Sequence, residues 1–80
     1  MITIEIFSGD CSLCEQLAEN SRTALEELKL HGDVRVVADQ DEIRERGITA
    51  TPALVINDEV ECLGRIPEPV EIMAWLQEIV

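Results

Sequence analysis

Two cysteines stand two residues apart in the stretch FSGDCSLCEQLAEN, where an apolar alternating run gives way to helical spacing. Cys11 and Cys14 admit three chemistries: thiolate ligation of a soft metal, a structural staple, or a dithiol that opens and closes during turnover. On the first turn of a helix, residues three apart share a face and come near enough for a disulfide. The first of the pair meets free backbone N–H groups and the positive end of the helix dipole, which favour a thiolate. Cys11 is therefore the expected nucleophile, and Cys14, one turn deeper, the expected resolving thiol.

Composition narrows the choice. Three cysteines in 80 residues are odd in number and sparse, whereas disulfide-built secreted scaffolds carry an even, denser set. A hydrophobic fraction of 46% supports one modest core, hence a single domain over residues 1–80. The net charge of −11, with one Lys against five Arg, argues against nucleic acid and anionic membranes as partners. It fits a basic or neutral protein partner, or solubility alone. The opening MITIEIF has no basic n-region, and no apolar run approaches the roughly 18–20 residues of a spanning helix. The chain reads as soluble, cytoplasmic and monomeric.

The elements that must position the pair follow from periodicity. ITIEIF alternates, with Ile2, Ile4 and Ile6 on one face and Thr3, Glu5 and Phe7 on the other, which predicts a strand over 2–7. After the turn SGD, apolar Leu13, Leu17, Ala18, Ala24, Leu25 and Leu28 predict a helix that starts at the cysteines and stops at Gly32. Glu15 and Glu19 near its start and Arg22 and Lys29 further along suit the dipole. VRVVA predicts a strand over 34–38, and DQDEIRERG a short polar helix closed by Gly47. PALVI and VECL predict a hairpin around NDE, with Asn57 at positive φ. PEPVEIMAWLQEIV predicts a last helix with an apolar stripe of Val70, Met73, Trp75, Leu76, Ile79 and Val80. The order is β-α-β-α-β-β-α: an α/β fold with a four-stranded mixed sheet, parallel at its first crossover and antiparallel at its later hairpin.

A strand, then C-x-x-C opening a helix, then TATPAL leading a hairpin strand, then Gly after the last strand, resembles the thioredoxin/glutaredoxin superfamily. Within it the chain is similar to the small, glutaredoxin-sized redox-active disulfide proteins of bacteria and archaea. The resemblance covers essentially the whole chain and is carried by the combination of motifs. It implies that Pro52, after Thr51, is the cis-proline beside the disulfide, where the Thr51 backbone pairs with an extended substrate. An X-Pro bond tolerates the cis form because its trans preference is small. It likewise implies that Gly64 leaves room for a substrate backbone. Ordinary strand-end roles for Pro52 and Gly64 are the competing reading.

Glu5 stands six residues before Cys11, the offset at which thioredoxins carry a buried acid that moves the proton of the resolving thiol. Sharing a face with Phe7 favours its burial, and a desolvated carboxylate would suit proton transfer. A solvated surface Glu is the alternative. The chain departs from the family between the cysteines, where Ser12 and Leu13 replace Gly-Pro or Pro-Tyr. Asp10, counted with Thr51, Pro52 and Gly64 on the substrate rim, also sets a like charge beside Cys11. That works against the thiolate and makes the disulfide harder to reduce.

Cys62 reads as a small buried hydrophobe sharing a strand face with Val60. His31 suits a helix end, Met73 and Trp75 suit packing, and Arg65 suits solvent or the rim. The leading function is a thiol–disulfide oxidoreductase acting on protein disulfides and served by a protein reductase, with no cofactor. A Zn or Cu(I) module using Cys11, Cys14 and Cys62 is the alternative from another class, though it lacks a fourth ligand unless two chains share the site. A glutathione-dependent glutaredoxin is the third, and Arg65 is the main cation available for its clamp.

Overall fold

The computed structural model describes residues 1–9 and 11–80, with Cys11 described by its backbone alone. In chain order it contains β1 (Ile2–Phe7), α1 (Cys11–Glu27), β2 (Gly32–Val37), α2 (Gln40–Glu45), β3 (Ala53–Ile56), β4 (Glu59–Leu63) and α3 (Pro69–Ile79). This is the expected β-α-β-α-β-β-α order. The sheet runs β2-β1-β3-β4. β1 pairs parallel with β2, setting Ile4 opposite Val34, and antiparallel with β3, setting Ile6 opposite Leu54 and Phe7 opposite Ala53. A parallel pair cannot be closed by a tight turn, so α1 makes the crossover.

Alternation along β1 sends its two sets of side chains into two separate cores. Ile2, Ile4 and Ile6 pack with Leu17, Ala18, Ala24 and Leu25 of α1, Leu54 and Ile56 of β3, and Ile72 and Leu76 of α3. Phe7 packs on the other face with Val37, Ile43 of α2, Ala53 and Val55. The sheet therefore lies between α1 and α3 on one side and α2 on the other. Every side chain of β3 is buried, which explains the unbroken apolar run ALVI.

Four local expectations are corrected. Helix α1 ends at Glu27 rather than at Gly32, because Lys29 adopts φ 55° and closes a Schellman motif. In it Leu30 N donates to Leu25 O at 2.9 Å and Lys29 N to Glu26 O at 3.1 Å. Gly32 instead starts β2 against its neighbour, where an added Cβ would lie 2.9 Å from the Ile2 carbonyl oxygen. With these limits, no acidic residue falls in the first turn of α1 and no basic one in its last, so Glu15 and Lys29 are not placed to meet the dipole. In α3 the buried residues are Ile72 and Leu76, with Met73 and Trp75 partly buried. Val70, Ile79 and Val80 are exposed, at 68%, 45% and 70%: Val70 lies on the side of the helix away from the 72/76 stripe, and Ile79 and Val80 stand at its last residue and C-cap.

The fourth correction concerns β4. Leu54 pairs with Cys62 but Val55 with Val60, so Glu61 is an extra residue in a bulge. The bulge reverses side-chain parity. Cys62 enters the core with Leu54, while Val60 faces the opposite side and is exposed. The hairpin turn itself is as expected, with Asn57 at φ 48° and Asp58 at φ 68°, the geometry of a primed two-residue turn. The short helix is also as expected. Asp39 caps its start, and Gly47 at φ 73° ends it, with Ile48 N on Ile43 O at 3.2 Å.

Candidate functional site

Phe7, Ala53 and Leu63 form one row across three adjacent strands. The chain leaves the sheet just beyond this row at three places: Ser8 after β1, Pro52 before β3 and Gly64 after β4. Helix α1 begins three residues after Ser8, at Cys11. Sheet pairing therefore gathers at one edge the segments that are far apart in sequence.

Two hydrogen bonds organise this edge. Buried Cys14 donates its Sγ proton to the Ser8 carbonyl at 3.3 Å, a bond that exists only while the sulfur keeps that proton. The Gly64 N–H donates to the Pro52 carbonyl at 2.9 Å, which joins the loop before β3 to the loop after β4. Gly64 has φ 78°, a conformation that side chains disfavour. A Cβ there would make only an ordinary 3.7 Å contact with Ala50, so backbone conformation rather than crowding requires glycine. The Thr51–Pro52 peptide bond is cis. Pro52 is buried and Thr51 exposed. Asp10, expected to set a charge beside the first thiol, lies outside the described residues, as does the side chain of Cys11.

Glu5 is buried, at 5% exposure, as its parity with Phe7 predicts, and it has two cationic partners. Arg46 grips both its oxygens, with Nη2 3.1 Å from Oε1 and Nη1 3.3 Å from Oε2. Arg35, its cross-strand neighbour, adds Nη1 at 3.4 Å from Oε2. The cause is partner placement: the register of β2 delivers Arg35, and the end of α2 delivers Arg46. Burial of a carboxylate is tolerated when cations and hydrogen bonds compensate it. The bond to Glu5 raises the pKa of Arg46 above its ordinary value against an opposing effect of burial. Parity also turns Glu5 to the face it shares with Phe7, on which Ile43 of α2 packs, whereas α1, the helix that carries Cys14, packs on the other face.

Other candidates find ordinary places. Cys62 is buried at 7% with its thiol 3.8 Å from the Arg65 carbonyl. Arg65 bonds Glu71 at 2.8 Å, so the cation considered for a glutathione clamp is already engaged. His31 is exposed and lines an open depression of about 320 Å³ with Arg22, Glu26 and Asp33. That depression lies at the Ile2–Gly32 end of the sheet, one strand length from the cysteines. Sequence reasoning missed Ser8 and Arg46. Ser8 contributes through its backbone, which no side-chain pattern reveals. Arg46 was detectable only through the need of a buried Glu5 for a cation, and nothing in spacing selects it among five arginines.

A mixed four-stranded sheet between helices, C-x-x-C at a helix start, and a cis-proline loop bonded to the glycine after the last strand define a thioredoxin-like domain. The family model for the thioredoxin domain matches residues 2–77. A thioredoxin of Methanothermobacter thermautotrophicus is 33% identical over 72 residues, covering 90% of this chain and 94% of that protein. A thioredoxin of Methanocaldococcus jannaschii is 36% identical over 77 residues, covering 96% of this chain and 88% of that one. The chain belongs to the thioredoxin family, and its general class is that of the thiol–disulfide oxidoreductases. Among the described residues, no helix is long and apolar enough to cross a membrane.

Proposed function

We propose that the protein reduces protein disulfides through the Cys11–Cys14 dithiol and is itself reduced by a protein reductase. The Cys11 thiolate attacks one sulfur of a substrate disulfide. A Cys11–substrate S–S bond forms, the substrate S–S bond breaks, and the second substrate sulfur leaves as a thiolate that takes up a proton. Cys14 then attacks the Cys11 sulfur, and the proton it had donated to the Ser8 carbonyl passes to the departing substrate sulfur, the first substrate thiolate having taken its proton from solvent. The mixed disulfide breaks, Cys11 and Cys14 are joined, and the substrate departs with two thiols. The substrate gains two electrons and the dithiol loses two.

The observation that carries this reading is the bond between Gly64 N–H and the Pro52 carbonyl, because it joins two substrate-facing segments at the sheet edge where α1 begins. In this reading Thr51 offers its exposed backbone to an extended substrate segment, and Asp10 flanks the nucleophile. Glu5, with both oxygens on Arg46, serves as an anchor rather than as the base for Cys14. A protein donor is favoured over glutathione because Arg65 is paired with Glu71, and the acidic chain favours a reductase with a basic docking face. A reducing compartment such as the cytoplasm suits a working dithiol.

Trapping tests the assignment. Cys14→Ser should accumulate covalent adducts with substrate through Cys11, and Cys11→Ser should abolish exchange. Equal exchange rates in wild type and both variants would refute it. A redox titration against thioredoxin reductase and against glutathione then identifies the donor class.

A further inference from the structure

Arg46 joins three segments that are distant in sequence. It is the C-cap of α2, its fork holds both oxygens of Glu5 on β1, and its Nη2 lies 3.6 Å from Asp58 Oδ1 in the β3–β4 turn. Its guanidinium carbon also stands 5.0 Å from the centre of the Phe7 ring, within the range of a cation–π contact. From this residue the chain runs through 47–52 without strand or helix and re-enters the sheet at Ala53, opposite Phe7. The loop that ends in Thr51–Pro52 is thus pinned at its start to Glu5 and Phe7, and at its finish to Phe7 again.

Within the loop the backbone has few holds of its own. Gly47 N donates to Arg44 O at 3.0 Å and Ile48 N to Ile43 O at 3.2 Å, both reaching back into α2. Ile48 packs on the Phe7 core, and Pro52 receives the Gly64 bond. The orientation of α2 relative to β1 therefore sets where the loop starts, and the Arg46 fork is the polar tie between those two elements.

We propose that Arg46 is a positioning residue for the substrate-facing loop 47–52, holding Thr51 and Pro52 over the end of β1 through its fork on Glu5 and its stack on Phe7. The functional half of this inference rests on the proposed oxidoreductase reading. A planar fork that also stacks cannot be replaced by a point charge, so Lys at this position would keep the charge pair and lose the geometry.

Amide hydrogen exchange of the reduced protein tests the anchoring without any substrate. In Arg46→Met, the Gly47, Ile48 and Gly64 amides should exchange at least about tenfold faster while the central β1 amides keep their rates, the signature of local rather than global opening. Arg46→Lys should fall between. Because Arg46→Met leaves the buried Glu5 carboxylate with Arg35 as its one remaining cation among the described residues, the double variant Glu5→Gln with Arg46→Met provides a neutral comparison, in which Arg35 can still serve the amide oxygen; it should show the same local acceleration. Unchanged loop amides, or one uniform acceleration across the whole sheet, would overturn the proposal. Kinetics supply the functional arm: Arg46→Met should raise KM for a protein disulfide by about tenfold, while its reaction with a small aromatic disulfide stays at the wild-type rate. Equal slowing with both disulfides also overturns the positioning role. A wild-type protein inert to protein disulfides would instead defeat the oxidoreductase reading, and the exchange rates would still decide the anchoring.

Discussion

The side chains that do chemistry here are few, and their neighbours determine what each can do. Cys14 is a buried thiol that donates to the Ser8 carbonyl, so in the proposed reaction it must give up that hydrogen bond to attack a mixed disulfide. Glu5 is a buried acid whose oxygens are held by two arginines, which is why the proposed function gives it an anchoring role. Lys29 is a different case, a non-glycine residue at φ 55° that serves only to end α1. The left-handed region costs such a residue about 1–2 kcal/mol, part of which glycine would return in unfolded-chain entropy. Lys29→Gly should accordingly stabilise the protein by about 0.5–1 kcal/mol, read from the urea midpoint at unchanged slope. A loss of stability would show that the Lys29 side chain contributes more than its backbone conformation costs.

Among the elements, β4 is an edge strand and is defended as one. Its bulge at Glu61 breaks the regular ladder, and Glu59 and Glu61 give the strand two charged side chains, two devices that discourage pairing with another chain. Defence has a cost in stability. Partial burial, then the charges of Glu59 and Glu78, push the Glu61 pKa above its ordinary value. A carboxyl with a raised folded-state pKa binds its proton more tightly when folded, so ionisation destabilises the fold. The penalty is absent below the unfolded-state pKa and grows as pH rises through the folded-state value. Glu61→Gln should raise the melting temperature at pH 7, with the gain shrinking as pH falls through the carboxylate range. A gain that is the same at pH 7 and at pH 3.5 would exclude charge as its source.

For the whole molecule, a charge of −11 on 80 residues is large enough to act at a distance. If it guides a reductase with a basic face, association should be fast at low ionic strength and slow as salt shortens the Debye length from about 30 Å at 0.01 M to about 8 Å at 0.15 M. The expected outcome is a fall of about tenfold in kcat/KM for reduction by the partner enzyme over that interval. A flat salt profile would assign the charge to solubility alone.

The motifs Cys11-x-x-Cys14, Thr51-Pro52 and Gly64, the period-two run ITIEIF and the turn at Asn57 were legible in the linear chain. Each is a local signal, set by spacing, by φ preference or by alternation between two faces, and local signals also sufficed for the order of elements. The register between strands decided what remained. It brought Ser8, Pro52 and Gly64 to one edge, slipped by one residue at Glu61 to turn Cys62 inward, and set Arg35 beside Glu5. The docking of α2 then supplied Arg46, which no periodicity could choose. Sequence by itself determined the elements and the place of the Cys11-x-x-Cys14 motif at a helix start because those depend on neighbours along the chain. The partners of Glu5 and Cys14 depend on contacts across the sheet, and only the tertiary structure decided them.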